Sequence, residues 1–228
     1  MPRRPAGTGE YPVKLYGTVP SRALRVLWLL RELDIECEVV TVNLGTGEQR
    51  GPDFRALNPA GKIPVLVDGD VVLTESVAIT LYLAEKYPGK GLIPTSLADR
   101  AQMYRWIFFL VTEIELPLWR IALHTRIYEA AERRPEEVAL ATRDGRAMID
   151  VIENHMQDRE FFVGDHLTVA DLNAAYLLDW ANLENLLEDA PRLRTYLAAM
   201  YARPTAPPTI AEGFAMIRKW KEEHGFPQ

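Results

Sequence analysis

"NPAGKIPVLVDGDVVLTES", residues 58–76, is the stretch on which the fold turns. "PVLV" and "VVLT" are short apolar runs on either side of "DGD", which reads as a tight β-hairpin with Asp68-Gly69 supplying the positive φ angles its turn needs. Pro64, which cannot donate a backbone hydrogen bond, stands at the mouth of the first strand. Glu75 and Ser76, two polar residues able to grip a ligand, follow the second. Beyond them "SVAITLYLAEKY" is an amphipathic helix that Pro88 and Gly89 bring to an end.

Working back from the hairpin, "VKLYG" (13–17) reads as a short buried strand ending at Gly17. "SRALRVLWLLREL" (21–33) puts Leu24, Leu27, Trp28 and Leu30 on a helical stripe, with Ser21 placed as N-cap. In "IECEVVTVNL" (35–44), Ile35, Cys37, Val39 and Thr41 alternate with Glu36 and Glu38, a strand pattern. Strand, helix and strand at this spacing form a right-handed βαβ unit with parallel strands. Working forward, "YPGKGLIPTSL" (87–97) is a proline- and glycine-rich linker. Strand signals then stop, and helical patterns run over 98–125, 135–157, 168–187, 190–202 and, more weakly, 209–222. This shift predicts two domains, an α/β domain over 11–88 and an all-α domain over 98–228.

The chain has 228 residues, a formal charge of −6 and one cysteine. Its basic residues are scattered, so no electrostatic footprint for nucleic acid stands out. The opening "MPRRPAGTGEYP" has no apolar run behind its arginines, as a secretory signal requires. "WIFFLV" (106–111) is too short to span a bilayer. Cys37 alone excludes an internal disulfide framework and any CxxC motif. The four histidines (124, 155, 166 and 224) show no HExxH or paired metal spacing, so no metal is expected. A cytoplasmic protein touching neither nucleic acid nor membrane is the expectation.

A βαβ unit followed by ββα is the thioredoxin-like arrangement. With it, "NPAGKIPVL", "LTESVAITLYLAEKY" and, in the helical half, "GDHLTVADLNAAYLL" resemble the cytosolic glutathione S-transferases of bacterial, theta, phi or nu type over nearly the whole chain. The resemblance implies a cis Ile63–Pro64 bond that leaves the main chain of Ile63 facing outward, where an extended tripeptide can pair as an added strand. Glu75 and Ser76 would take the γ-glutamyl end, Ser76 at a helix N-terminus that favours an anion and Glu75 beside the ammonium. Gln49, Arg50 and Lys62 are the candidates for the glycyl end; as a loop residue, Arg50 is also explained as plain surface charge.

Thioredoxins and cysteine-type transferases carry a reactive thiol at the turn from the first strand into the first helix. "YGTVPSRALR" (16–25) has none. The thiol must therefore come with the ligand, as reduced glutathione. Ser21 is the candidate to hold it as thiolate, through a hydrogen bond at a helix N-terminus. A serine with an arginine four residues on, here Ser21 and Arg25, resembles theta- and delta-like transferases, in which case Arg25 orients the turn or adds positive potential. Tyr16 competes for the role, Thr18 is a further hydroxyl, and Ser21 as a plain N-cap is the third account. No G-x-S-x-G surrounds it, which excludes a nucleophile elbow.

In "RAQMYRWIFFLVTEIELPLWRIALHT", residues 106–111 are apolar on nearly every face, the pattern of a buried helix, and Pro117 predicts a kink near Glu113. Under the resemblance, Tyr104, Phe108, Val111 and Trp119 line a site for an apolar electrophile. Glu113 and Glu115, set among apolar residues, need partners. Thr168 and Asp171 form a capping box, a folding element. The sequence thus points to a homodimeric glutathione transferase acting on small apolar electrophiles. A glutathione-dependent disulfide or peroxide reductase, a dehalogenase or ether-cleaving enzyme, and a non-catalytic interaction protein remain as alternatives.

Overall fold

The computed structural model describes residues 13–224, so the opening segment, the first two residues of the expected α/β domain and the last four of the chain lie outside it. Two compact units emerge: one runs to Lys90 and resumes at Thr205, the other spans Gly91 to Pro204.

The first unit is a four-stranded sheet with helices. Strands β1 (Val13–Gly17), β2 (Glu38–Thr41), β3 (Val65–Asp68) and β4 (Val71–Thr74) lie in the order β2-β1-β3-β4. β1 runs parallel to β2 and antiparallel to β3, and β3 pairs antiparallel with β4. Helices α1 (Ala23–Glu32) and α3 (Ser76–Lys86) pack on each other, and a short helix α2 (Pro52–Leu57) lies between β2 and β3. Phe54 of α2 joins Val42 and Val65 in a buried cluster against which Tyr16, Leu57 and Ile63 pack.

Three sequence expectations change here. The hairpin turn is Gly69-Asp70 rather than Asp68-Gly69: Asp68 pairs with Val71, and the positive φ, +59°, belongs to Gly69. A two-residue loop with its positive φ at the first position is the II′ pattern. In β2 the inward residues are not Val39 and Thr41. Val39 is 47% exposed, whereas Val42 is buried under Phe54, because Val40 and Val42 share the face that α2 covers. The helix α2 itself was not anticipated, although Gly51-Pro52-Asp53 carries a start signal, proline in the first turn followed by an acid.

The second unit is all helical: α4 (Leu97–Phe109), α5 (Glu115–Ala122), α6 (Pro135–His155), α7 (Val169–Leu183) and α8 (Pro191–Tyr201). The expected 98–125 helix is broken twice, by π-helical turns at Leu110–Ile114 and Leu123–Ile127. Pro117 has no N–H for the Glu113 carbonyl and its ring would collide with that carbonyl; wider winding over 110–114 relieves both. Nor is 106–111 buried all round: Trp106, Ile107 and Leu110 are, but Phe108 is 66% exposed. Asp171 anchors α7. Its buried carboxylate accepts from the N–H and hydroxyl of Thr168, the Phe162 N–H and the Tyr196 hydroxyl, at 2.8 to 3.0 Å.

The last helix, α9 (Ile210–Glu223), had been expected within the helical domain and instead clusters with the first unit. Its lead-in docks on α1. Arg31 donates to the Ala206 carbonyl at 3.0 Å, and the Thr205 hydroxyl donates to Glu32.

Candidate functional site

The approach to the hairpin is built by Asn58. Its buried side chain donates to the Lys62 carbonyl at 2.6 Å and accepts from the Ala60 N–H at 3.0 Å, while its carbonyl takes the Gly61 N–H at 2.9 Å. Gly61 has φ +61°, and a Cβ there would stand 2.9 Å from the carbonyl oxygen of Gln49. Only glycine fits, and that fit brings the turn Glu48–Arg50 against the 58–62 loop. Gln49 and the exposed Lys62 and Arg50 thus sit on two loops packed together. Ile63–Pro64 is cis. The ladder to β4 begins only at Val65, opposite Thr74, so Ile63 precedes the sheet with its side chain on the Val42–Phe54–Val65 cluster.

At the far end of the hairpin, Glu75 has φ +66° and ψ 110°. A non-glycine residue held there stores on the order of 1–3 kcal/mol, which the surrounding structure must impose. The consequence is local. Chain direction reverses at once, Ser76 becomes the first residue of α3, and the unbonded N–H groups and positive dipole end of that helix lie beside the exposed Glu75.

Between these features lies the turn from β1 into α1. The Ser21 hydroxyl donates to the Thr18 carbonyl oxygen at 2.5 Å and accepts from the Ala23 N–H at 3.1 Å. The N-cap of α1 is Arg22 rather than the expected Ser21, because the helix opens at Ala23; from one residue earlier the Ser21 hydroxyl still satisfies that first orphan donor, as a cap does. Val19–Pro20, just before it, is a second cis bond that the sequence reading did not foresee. Two glycines press on the turn. A Cβ on Gly17 would lie 2.7 Å from that of Ala23, and one on Gly213 of α9 would lie 3.0 Å from Pro20 and 3.1 Å from Val19. Arg25, one helical turn past Ser21, is buried and donates to the Ser76 hydroxyl at 3.2 Å. Tyr16, by contrast, alternates away from the buried Leu15 and Gly17 and packs its half-buried ring on the α2 cluster. Cys37 precedes β2, and burial pushes its thiol pKa up against the opposing pull of Arg31, which keeps it a poor nucleophile.

The profile of the glutathione S-transferase N-terminal domain matches residues 11–85, and that of the C-terminal domain matches residues 117–204. Glutathione S-transferase 3 of Zea mays is 33% identical over 214 residues, covering 88% of this chain and 94% of the maize protein. The chain belongs to the glutathione S-transferase family. Among solved structures it resembles glutathione transferase F7 of Populus trichocarpa, at 26% identity and TM-score 0.79 over 88% of this chain and 98% of that one. It is equally similar, at 25% identity and TM-score 0.79, to glutathione transferase URE2P8 of Phanerochaete chrysosporium, solved with oxidized glutathione; that match covers 95% of this chain and 99% of the other.

In the helical unit of this transferase-family chain, Tyr104, Phe108 and Val111 follow one another at helical spacing along α4 and the turn after it, Phe108 open and the other two half-buried. Trp119 lies beyond the π-helical turn and meets Trp180 of α7 edge-on, with ring centroids 6.4 Å apart. Two cavities of this unit, about 710 and 540 Å³, lie elsewhere, around residues 154–165 and between Met156, Tyr196 and Met200. Glu113 is exposed and accepts from the Thr112 hydroxyl at 3.2 Å, whereas Glu115 is buried. His166 is paired with Asp165 at 3.0 Å on an exposed loop. Among the described residues no group of three or more His, Cys, Asp or Glu is placed to hold a metal ion, and no helix is long and apolar enough to cross a membrane.

Proposed function

We propose that the protein binds reduced glutathione in its first unit and conjugates it, through its sulfur, to a small apolar electrophile. The observation that carries this reading is the grouping, within one α/β unit, of a hydroxyl at the α1 turn, a cis proline before the hairpin and a strained Glu75 leading into α3.

In this reading the cysteinyl main chain of the tripeptide pairs with that of Ile63, as an added strand does. The γ-glutamyl carboxylate lies on Ser76 and the α3 N-terminus, its ammonium beside Glu75. Gln49, Arg50 and Lys62 receive the glycyl carboxylate. The sulfur lies at the α1 turn, where the Ser21 hydroxyl swings from the Thr18 carbonyl to donate to it. Lowering the thiol pKa by about 2 from its free value near 8.5 requires about 2.7 kcal/mol of preference for the thiolate. A charge-assisted hydrogen bond and a helix dipole together supply energies of that order. The thiol proton leaves to solvent, the thiolate sulfur forms a bond to carbon, and the leaving group departs with the bonding electron pair. Tyr104, Phe108 and Val111 are the proposed apolar contacts for that carbon compound; Trp119 has Trp180 to pack on and is the weakest of the four. A homodimer working in the cytoplasm completes the reading.

Calorimetry with reduced glutathione, followed by a conjugation assay with an aryl halide, tests it. Binding and conjugation are expected. Binding with turnover of disulfide substrates alone would assign the scaffold to a reductase instead, and no heat of binding would leave a non-catalytic protein.

A further inference from the structure

Arg25 is 1% exposed, and its Nη1 donates to the Ser76 hydroxyl oxygen at 3.2 Å. Guanidinium groups stay charged in proteins and are withdrawn from water only at considerable cost, so one this deeply placed is held by what it bonds inside. Ser76 is itself 5% exposed, which fixes its hydroxyl in the fold rather than leaving it to turn in solvent.

A serine hydroxyl has one proton and two lone pairs. With an Arg25 N–H pointed at its oxygen, the hydroxyl proton turns away from the guanidinium, and Ser76 presents itself as a donor. A donor at a helix N-terminus, backed by a buried positive charge, matches a carboxylate and mismatches the NH₂ of an amide. Resting on the function proposed above, we infer that Arg25 is a positioning residue: by fixing the Ser76 hydroxyl as a donor it makes this end of the site select a free α-carboxylate. Arg25 touches no ligand in this arrangement; it acts through Ser76. Because Arg25 lies on α1 one turn past Ser21, a single helix supports the γ-glutamyl carboxylate at one end of the tripeptide and the thiol of its central cysteine.

The test is calorimetric titration of the full chain with reduced glutathione and with the analogue whose γ-glutamyl α-carboxylate is an amide. It is run on the native chain, Arg25→Met, Ser76→Ala and the double variant, with a thermal melt of each. The native chain should prefer the acid by about tenfold or more, the gain expected of one charge-assisted hydrogen bond. Arg25→Met, close in volume and uncharged, should cut that preference about tenfold with little change for the amide. Ser76→Ala should do the same, and the double variant should lose no more than either. A purely supporting role for Arg25 would weaken both ligands alike. The inference is overturned if Arg25→Met keeps the native preference, or if the two losses multiply in the double variant. A native preference near one overturns it without any variant, and Ser76→Ala with the native preference does so even if Arg25→Met fails to fold. A native chain that takes up neither ligand fails at the earlier step and removes the proposed function itself.

Discussion

The Ser21 hydroxyl lies 2.5 Å from the Thr18 carbonyl oxygen and 3.1 Å from the Ala23 amide, donating to the first and accepting from the second. The turn thus uses both faces of the hydroxyl before any ligand arrives. Removing it has two separable effects. Ser21→Ala should cost about 1 kcal/mol of stability, as loss of a cap does. It should also return the thiol of bound glutathione toward about 8.5. Ser21→Thr should restore both. Chemical denaturation reads the first effect, and ultraviolet titration of the bound thiolate reads the second. A destabilised variant with the native thiol pKa would leave Ser21 a cap and nothing more.

Glu75 carries its backbone at φ +66° for the sake of the reversal into α3. Glycine adopts that conformation without steric cost but loses more freedom on folding. Glu75→Gly is therefore expected to stabilise the fold by about 1 kcal/mol while weakening glutathione binding tenfold or more, an opposition typical of strain kept at a functional site. Glu75→Gln, which keeps the strain and removes the charge, should lose binding with no gain in stability. Thermal midpoints and calorimetric affinities on the two variants decide it; a glycine variant with both properties unchanged would show that neither the conformation nor the carboxylate matters.

Gly61 makes a different commitment. Alanine there must accept φ +61° and a Cβ 2.9 Å from the Gln49 carbonyl, so either the 48–50 turn or the 58–62 loop has to move. Gly61→Ala should cost about 1–3 kcal/mol. Because both loops approach the Ile63–Pro64 mouth, it should also reduce glutathione affinity. Gly69→Ala is the control. A Cβ at Gly69 meets nothing within 4 Å, so it carries only the φ penalty at the hairpin turn and should leave binding intact. Equal affinities for the two variants would separate the loop contact from the site.

What could be read in advance depended on how local each signal is. The hairpin, the α7 capping box and the α3 start are written in residues within a few positions of one another, and all appear, the hairpin with its turn one residue later than expected. β2 misled because Val39 and Val40 are adjacent and both apolar. Alternation alone cannot say which faces inward, and the choice is made by Phe54, more than ten residues away on a helix that was missed. Asn58 has a local signal, an Asn-Pro pair at the head of a turn, yet its task of holding the Lys62 carbonyl shows only once the loop is closed. The bond from Arg25 to Ser76 spans 51 positions and has no sequence signature at all. Nor has the placement of α9, which rests on the absence of a side chain at Gly213 next to Val19 and Pro20.

Asp68, at the end of β3, ties the hairpin to the C-terminal turn of α3. The Tyr82 hydroxyl donates to it at 2.9 Å, and the Lys86 ammonium donates to the same oxygen. The Asp68 hydrogen bond holds the Lys86 pKa above its usual 10.5, while burial first and Asp68 second raise that of Tyr82 above 10.0. Both groups are thus protonated more readily in the folded chain than in the unfolded one. Their contribution to stability is complete below the ordinary tyrosine and lysine ranges and disappears as pH climbs through the raised folded values. Asp68→Asn weakens the cause of both shifts. Since the Lys86 side chain is 38% exposed, solvent screens the pair and the expected cost at neutral pH is about 1 kcal/mol. The difference in thermal midpoint between native chain and variant should hold from about pH 7 to about pH 9 and close toward about pH 11. A gap that stays constant into the alkaline range would mean that Asp68 acts through packing at the hairpin end, with no part for the proton on Lys86 or Tyr82.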